Sequence, residues 1–330
     1  MNFRGKLKID FPTSPADKSG WPWTEESPSF DPVMTDGKPW PKISIVTPSF
    51  NQGKFLEETI RSVLLQNYPN LEYIIIDGGS ADNSIDIIKK YEPWLDYWVS
   101  EKDNGQAHAI NKGLERCAGE IFNWINSDDY LTSGALKIVA ENIKDVDMLA
   151  GTVMNFNGKD ETVTRPFGLS IRKMIRKKGG TVSYHQPGIW LRTGKLKHVG
   201  GLNEDFHYMF DWLMMMHYLA KYPTINYVSE VLAKFRLHKN SKTVKNGTGF
   251  TNDLLRLSVM LMYNKDYREY RFEAIKCAQD RLRKMGIDEI EANESSDFSK
   301  VISIIKMLFS NVFSYPYRYA LGTIKRILIK

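Results

Sequence analysis

At 330 residues, 42% hydrophobic and 25% charged, the chain can bury a full core and has ordinary globular composition, which excludes a disordered or fibrous protein. Its two cysteines, Cys117 and Cys277, form no disulfide framework and no zinc spacing, so a reducing compartment is favoured. No run of roughly eighteen uninterrupted apolar residues offers a spanning helix, and the opening MNFRGKLKIDFPTSP lacks the apolar core of a signal peptide.

Residues 1–41, rich in Pro, Ser, Trp and Asp, show no periodicity and read as an irregular arm pinned to the body by tryptophans. The pattern then changes. KISIVTPSF is a short β-branched strand ending in a loop, and GKFLEETIRSVLLQN places Phe55, Leu56, Ile60, Val63 and Leu64 at helical spacing. EYIIIDGG predicts a second strand, IDIIKKYE a helix, LDYWVSEKDNG a third strand, QAHAINKGLERCAG a helix and EIFNWINSDD a fourth strand. GALKIVAENI is helical, VDMLAGTVM a strand, and NFNGKDETV a hairpin turning on Asn157-Gly158. SIRKMIRKKGG and FDWLMMMHYLAKYP read as helices, 250–286 as one or two more, and DEIEANESSD as an acidic linker. No internal repeat is present.

Alternating strands and helices predict an α/β fold: a doubly wound, mostly parallel sheet covered by helices on both faces, with a helical C-terminal extension. In such sheets ligands bind beyond the carboxyl ends of the strands. Those ends here carry Thr47-Pro48-Ser49, Asp77-Gly78-Gly79-Ser80 and Ser127-Asp128-Asp129. Adjacent carboxylates closing a buried strand suit a hard dication that also touches phosphate oxygens; the alternative is a cap on the helix that follows. Asp77 suits a hydrogen bond to a ribose or base edge, or a plain Asp-Gly turn. The glycines form neither a dinucleotide fingerprint nor a phosphate-cradling loop.

The segments PKISIVTPSFNQGKFLEETIRSVLLQNYPNLEYIIIDGGSADNS and GQAHAINKGLERCAGEIFNWINSDD together resemble the family 2 glycosyltransferases, inverting enzymes of GT-A fold that use nucleotide-diphosphate sugars. The likeness is dense over 42–145 and thinner to about 240. It implies a glycosyltransferase domain over 42–240, with a nucleotide-sugar half (42–145) and an acceptor half (146–240), followed by 241–297 and 298–330. It also implies that Thr47, Pro48 and Phe50 line the base, that Asp77 bonds it, and that Gln106 and Asn111 face the donor. Asp128 would meet the ribose or sugar, and Asp129 would hold Mn²⁺ or Mg²⁺; the motif reads SDD rather than Asp-x-Asp.

Inverting transfer to a hydroxyl needs a carboxylate that takes the acceptor proton. VGGLNEDFHYMFDWLMMM offers Asp205 and Asp211; Asp211, at the head of the long apolar helix, resembles the family's base, while Asp205 suits the preceding turn. In relatives a histidine after the last strand completes the metal site or touches the diphosphate, which His238 would do here, and imidazole suits Mn²⁺ better than Mg²⁺. Arg236 and Lys239 are candidate phosphate partners, and His185 falls where the family's acceptor floor begins.

The expected partners are a nucleotide-diphosphate sugar and a glycan or lipid-linked acceptor, in surface polysaccharide or glycoconjugate synthesis. From Phe298 to Lys330 six basic residues and no acidic one account for the whole net charge of +6, leaving 39 basic against 39 acidic elsewhere. A neutral body argues against nucleic acid. The apolar, basic tail suits two amphipathic helices in an anionic membrane interface, or packing on protein. The expected location is cytoplasmic, peripheral on the inner membrane face if the tail engages it. A non-catalytic glycan- or nucleotide-binding protein and a nucleotidyltransferase are the rival readings. The second lacks a Gly-rich triphosphate loop in TPSFNQGKF.

Overall fold

The computed structural model describes residues 11–176, 181–239, 241 and 247–277. The acidic linker and the basic tail of 298–330 lie outside the described residues.

The strands are β1 (Ile43–Ser49), β2 (Leu71–Asp77), β3 (Tyr97–Ser100), β4 (Ile121–Trp124), β5 (Tyr130–Leu131), β6 (Met148–Phe156), β7 (Glu161–Thr164), β8 (Ile189–Arg192) and β9 (Ile225–Arg236). They form one sheet in the order β3-β2-β1-β4-β8-β6-β9-β5, with β7 hairpinned onto β6. Every residue of β1 and β2 is buried, as expected of central parallel strands covered on both faces. Helices α1 (Leu56–Leu64), α2 (Ser84–Tyr91), α3 (Gln106–Arg116) and α4 (Ala135–Asn142) connect and cover them, each burying an apolar stripe; in α1 it holds the predicted Leu56, Ile60, Val63 and Leu64. Gly113 lets α3 lie close on β1, since a Cβ there would meet Val46 at 2.6 Å.

The parallel arrangement predicted from alternation holds from β3 through β4. Beyond β4 the sheet becomes mixed. β8 runs antiparallel to both β4 and β6, β5 is antiparallel to β9, and β6 and β9 are parallel to each other. β5, β8 and β9 were not legible as strands: β5 has two residues, and much of β9 is half-exposed without clean alternation. The acceptor half adds α6 (Thr193–His198) and α7 (Phe210–Lys221); Met214, Met215 and Met216 of α7 are core residues.

The chain divides into two compact units. Among the described residues, the first takes in 11–171, 181–239 and 241, and the second takes in 172–176 and 247–277. The second holds the helix Ile171–Arg176 (α5) from its second residue on, the helix Gly247–Tyr263 (α8) and a 3₁₀ turn at Lys265–Tyr270. Arg172 pairs with Glu273 at 3.3 Å there.

The arm is irregular in backbone but built into the first unit. Phe30, Met34 and Trp40 belong to its buried core, where Phe30, Trp40 and Tyr68 meet edge-to-face at 4.9–5.9 Å.

Candidate active site

β4 stops at Trp124, and Asn126–Asp129 forms a tight turn closed by the Asp129 N–H donating to the Asn126 carbonyl at 3.0 Å. The next helix, α4, starts only at Ala135 after Gly134, which takes the left-handed conformation. The paired aspartates therefore cap no helix. Their turn lies beyond the carboxyl end of the parallel strands, where such sheets bind ligands.

Three elements fix this turn. From β9, the Arg236 backbone N–H donates to Asp129 Oδ1 at 3.0 Å and its Nε to the Asp128 carbonyl at 2.9 Å. From α1, Thr59 Oγ1 donates to the Asp129 carbonyl at 2.6 Å. From the first turn of α3, Gln106 Nε2 donates to Asn126 Oδ1 at 2.7 Å, and Asn126 in turn donates to Asp129 Oδ2 at 3.2 Å. The Arg236 guanidinium pairs with Glu58 and lies over the rings of Phe55 and Phe156 at 4.7 and 4.5 Å.

Asp129 is 1% exposed. Burial, and then the charge of Asp128, push its carboxyl well above the usual range, against the opposing pull of the Arg236 N–H. Asp128 turns the other way: its Oδ2 lies 2.9 Å from His238 Nε2, and the His238 ring packs on Phe55 at 5.0 Å. Among the described residues no three His, Cys, Asp or Glu side chains are gathered as a metal cluster. What the chain offers a dication is Asp128 opposite His238, a hard carboxylate with an imidazole, backed by Asp129. That donor set fits Mn²⁺, with the remaining positions left to phosphate oxygens and water.

The base-side residues sit at the ends of β1 and β2. Phe50 is 59% exposed in the loop after β1. This loop is clasped to the one after β2: Asn51 N–H donates to Ser80 Oγ, Gln52 N–H to Ser84 Oγ and Gly53 N–H to Asp82 Oδ2, at 2.7–3.1 Å. Asp77 is fully buried and accepts from Gly79 N, Ser80 N, Ser80 Oγ and Ser100 Oγ, so its carboxylate organises the loop itself. Thr47 is likewise buried, its hydroxyl 3.0 Å from Tyr73 OH, and Pro48 is buried beside it.

Asp211 lies in the first turn of α7, where its charge complements the helix dipole. The helix start reaches the end of β4 through Phe210, whose ring lies 6.4 Å from that of Trp124. Trp212 stacks on Tyr184 at 5.5 Å; burial first, and then Asp211, push the Tyr184 phenol up. Next to it His185 stacks on Phe235 at 4.7 Å and 11°, and Gln186 Nε2 donates to Asn123 Oδ1 and the Trp124 carbonyl, both at 2.9 Å. The segment 184–186 thus joins β4, β9 and α7. Asp205 lies in the turn ahead of α7, its N–H bonded to Asn203 Oδ1 at 2.9 Å.

Asn111 does not open toward β4. Its amide clamps the loop ahead of Asp211, donating to the Leu202 carbonyl and Glu204 Oε1 at 2.8 Å and accepting from Leu202 N–H at 2.9 Å. Gly201, at φ 68°, makes room: a Cβ there would meet Asn111 Oδ1 at 2.8 Å. Helix α3 therefore holds the Asp128–Asp129 turn through Gln106 and the approach to Asp211 through Asn111. Glu58, Thr59, Tyr184, Gln186 and Trp212 carried no readable signal in the sequence, since each acts through a neighbour remote along the chain.

Burial holds the His185 imidazole below its ordinary value of 6.5. A depressed value means that its contribution to stability is complete above 6.5 and is lost as pH falls through the folded value. The melting temperature is expected to fall on acidification across that window, and His185→Phe, which keeps the stack on Phe235, to flatten the fall. Calorimetry of both proteins against pH checks this.

The mixed sheet, with its acidic turn beyond parallel strands, defines a GT-A fold. Solved structures agree. S. aureus TarS 1–349 in complex with UDP-GlcNAc matches with TM-score 0.54 and 18% identity over 73% of this chain and 81% of TarS 1–349. The mannosyltransferase PcManGT from Pyrobaculum calidifontis, in complex with GDP-Man and Mn²⁺, matches with TM-score 0.54 and 16% identity over 99% of this chain and 90% of its own. The family model described as Glycosyl transferase family 2 matches residues 44–200, and that domain of the chain belongs to this family. An uncharacterized glycosyltransferase of Mycobacterium tuberculosis is 31% identical over 173 residues, which are 50% of this chain and 64% of the relative, so the match spans less than two thirds of that protein.

Proposed function

We propose that the chain is an inverting glycosyltransferase that moves a sugar from a nucleotide-diphosphate donor to a hydroxyl of a glycan or lipid-linked acceptor. The observation that carries this reading is the Asp128–Asp129 turn, held by Arg236 and with Asp128 facing His238 beyond the parallel strands, while α7, which begins with Phe210 on Trp124 of the same strand, carries Asp211 in its first turn. The donors UDP-GlcNAc and GDP-Man in the similar structures support the donor class.

In this reading Phe50 offers the base an exposed ring and the clasped loops hold that ring in place. Asp77, bonded within its own loop, shapes the base side through that loop, with Thr47 and Pro48 behind it; Gln106 borders the donor through the Asp128–Asp129 turn, while Asn111 sets the approach to Asp211. Asp128, Asp129 and His238 would hold Mn²⁺ or Mg²⁺, which when bound supplies positive charge to the diphosphate. Asp211 accepts the acceptor's hydroxyl proton as that oxygen bonds to the anomeric carbon. The carbon–oxygen bond to the diphosphate breaks, and its electron pair leaves with the nucleotide. His185 and Tyr184 border the acceptor side.

No described helix is long and apolar enough to cross a membrane. A cytoplasmic site, with the basic tail contacting the membrane face or packing on protein, is part of the proposal, as is a role in surface polysaccharide or glycoconjugate synthesis.

The test is turnover and binding with a panel of nucleotide sugars, with Mn²⁺, with Mg²⁺ and with chelator. We expect one donor class to bind and hydrolyse slowly in a metal-dependent way, chelation removing at least about 90% of turnover, since a lost metal forfeits several kcal/mol of charge stabilisation. Binding without any turnover would favour a non-catalytic binding protein, and no binding at all would refute the proposal.

A further inference from the structure

Residues 11–34 precede every motif that the proposed reaction uses, yet they reach the back of its central turn. β5, the two-residue strand immediately after Asp129, is the edge of the sheet, paired on one side with β9. An edge strand leaves backbone groups to be satisfied from outside the ladder. At Leu131, which is fully buried, the carbonyl accepts from the Trp21 indole Nε1 at 2.7 Å and the N–H donates to Ser62 Oγ of α1 at 3.1 Å. A second arm contact follows, where Ser27 Oγ accepts from Gly134 N–H at 2.9 Å and lies 3.1 Å from Ser133 Oγ. The arm thus grips the chain two and five residues beyond Asp129.

It also seats α1. Arg61, 3% exposed, spends its guanidinium almost entirely on the arm: on the carbonyls of Pro12, Pro22 and Trp23 at 2.7–3.0 Å and on Ser14 Oγ at 3.3 Å, with Tyr91 OH at 3.0 Å as its further partner. The rings of Phe11 and Trp23 cover it at 5.1 and 5.5 Å. Among the described residues no carboxylate pairs with Arg61, and a buried cation so placed depends on such carbonyl dipoles. α1 is also the helix whose Thr59 bonds the Asp129 carbonyl and whose Glu58 pairs with Arg236.

From this we infer that the N-terminal arm is a positioning element for the Asp128–Asp129 turn, acting through the Trp21–Leu131 bond and through Arg61 on α1. The inference rests on the proposed function for its catalytic meaning, but its mechanical half does not.

The test compares Trp21→Phe with Trp40→Phe in the full-length protein. Both remove one indole N–H; that of Trp40 reaches only the Asp31 carbonyl, at 2.8 Å, within the arm itself. Amide hydrogen exchange over residues 126–134 should accelerate about tenfold in Trp21→Phe and stay at the wild-type rate in Trp40→Phe. The Mn²⁺ concentration for half-maximal donor turnover should rise about tenfold in the first variant alone, the size expected when a group behind a metal ligand is lost. A merely structural arm would give the two variants the same exchange and the same Mn²⁺ requirement, and either equality overturns the inference. If Trp21→Phe fails to fold, Ser27→Ala carries the same comparison. A wild type that turns over no nucleotide sugar counts against the proposed function, and exchange over 126–134 then decides whether the arm holds the turn.

Discussion

Asp211→Asn is expected to lower turnover by about 10²–10⁴, the range for loss of a general base, while leaving metal-dependent donor binding within about twofold of wild type. The amide keeps the size of the carboxylate and can keep the hydrogen bond that Asp211 Oδ1 accepts from the Trp212 N–H at 2.8 Å, so the start of α7 should stay in place. What it loses is the ability to take a proton. The measurement is kcat together with donor affinity by calorimetry. Loss of donor binding in this variant would show that Asp211 serves the nucleotide side. Full activity would pass the role of base to another carboxylate, with Asp205 in the preceding turn the next to replace.

Asp128→Ala is the second large effect. Asp128 Oδ2 faces His238 Nε2 at 2.9 Å, and this pair is the part of the turn that offers itself to a cation. The Asp128 carbonyl that holds Arg236 Nε belongs to the backbone and survives the substitution. The turn should therefore persist while its ligand function is lost. We expect Mn²⁺-dependent donor binding to weaken at least about 100-fold, because the metal's contribution to the diphosphate is worth several kcal/mol and each 1.4 kcal/mol is a factor of ten. A melting temperature within a few degrees of wild type, measured with chelator, separates this outcome from unfolding. Unchanged Mn²⁺ dependence would remove Asp128 from the metal site and leave the adjacent carboxylates as a purely structural turn.

The contrast between the neighbours Asp128 and Asp129 comes from the turn. The two residues are equivalent in sequence, but β9 arrives beside Asp129 with a backbone N–H, and Asn126 bonds its other oxygen. One carboxylate is thereby tied into the protein and the other left to face His238.

Much of the fold could be read along the chain. β-branched runs such as ISIVTPS and LEYIIID alternate with helices whose apolar residues recur at 3.6-residue spacing, and this local pattern implies a parallel sheet with polar strand ends. It also located Asp77, Asp128, Asp129 and Asp211 at strand or helix ends, because a strand's end is marked by the residues that stop it. The same local signals did not reveal β9 as a strand or the mixed pairing beyond β4, since pairing partners lie far apart in sequence and half-exposed strands lose their alternation.

What the amino-acid sequence determined by itself was therefore the family, the sheet's parallel half and the chemical types present at its rim. The tertiary structure decided which of those groups are already spent. Asp77 is bonded within its own loop, Asn111 clamps the approach to Asp211, and Arg236 braces the acidic turn, while Trp21 and Arg61 bind an apparently featureless arm behind it. The physical reason is that a buried polar group must find a partner, and the partner is supplied by whichever segment the fold brings within about 3 Å, however distant it is along the chain.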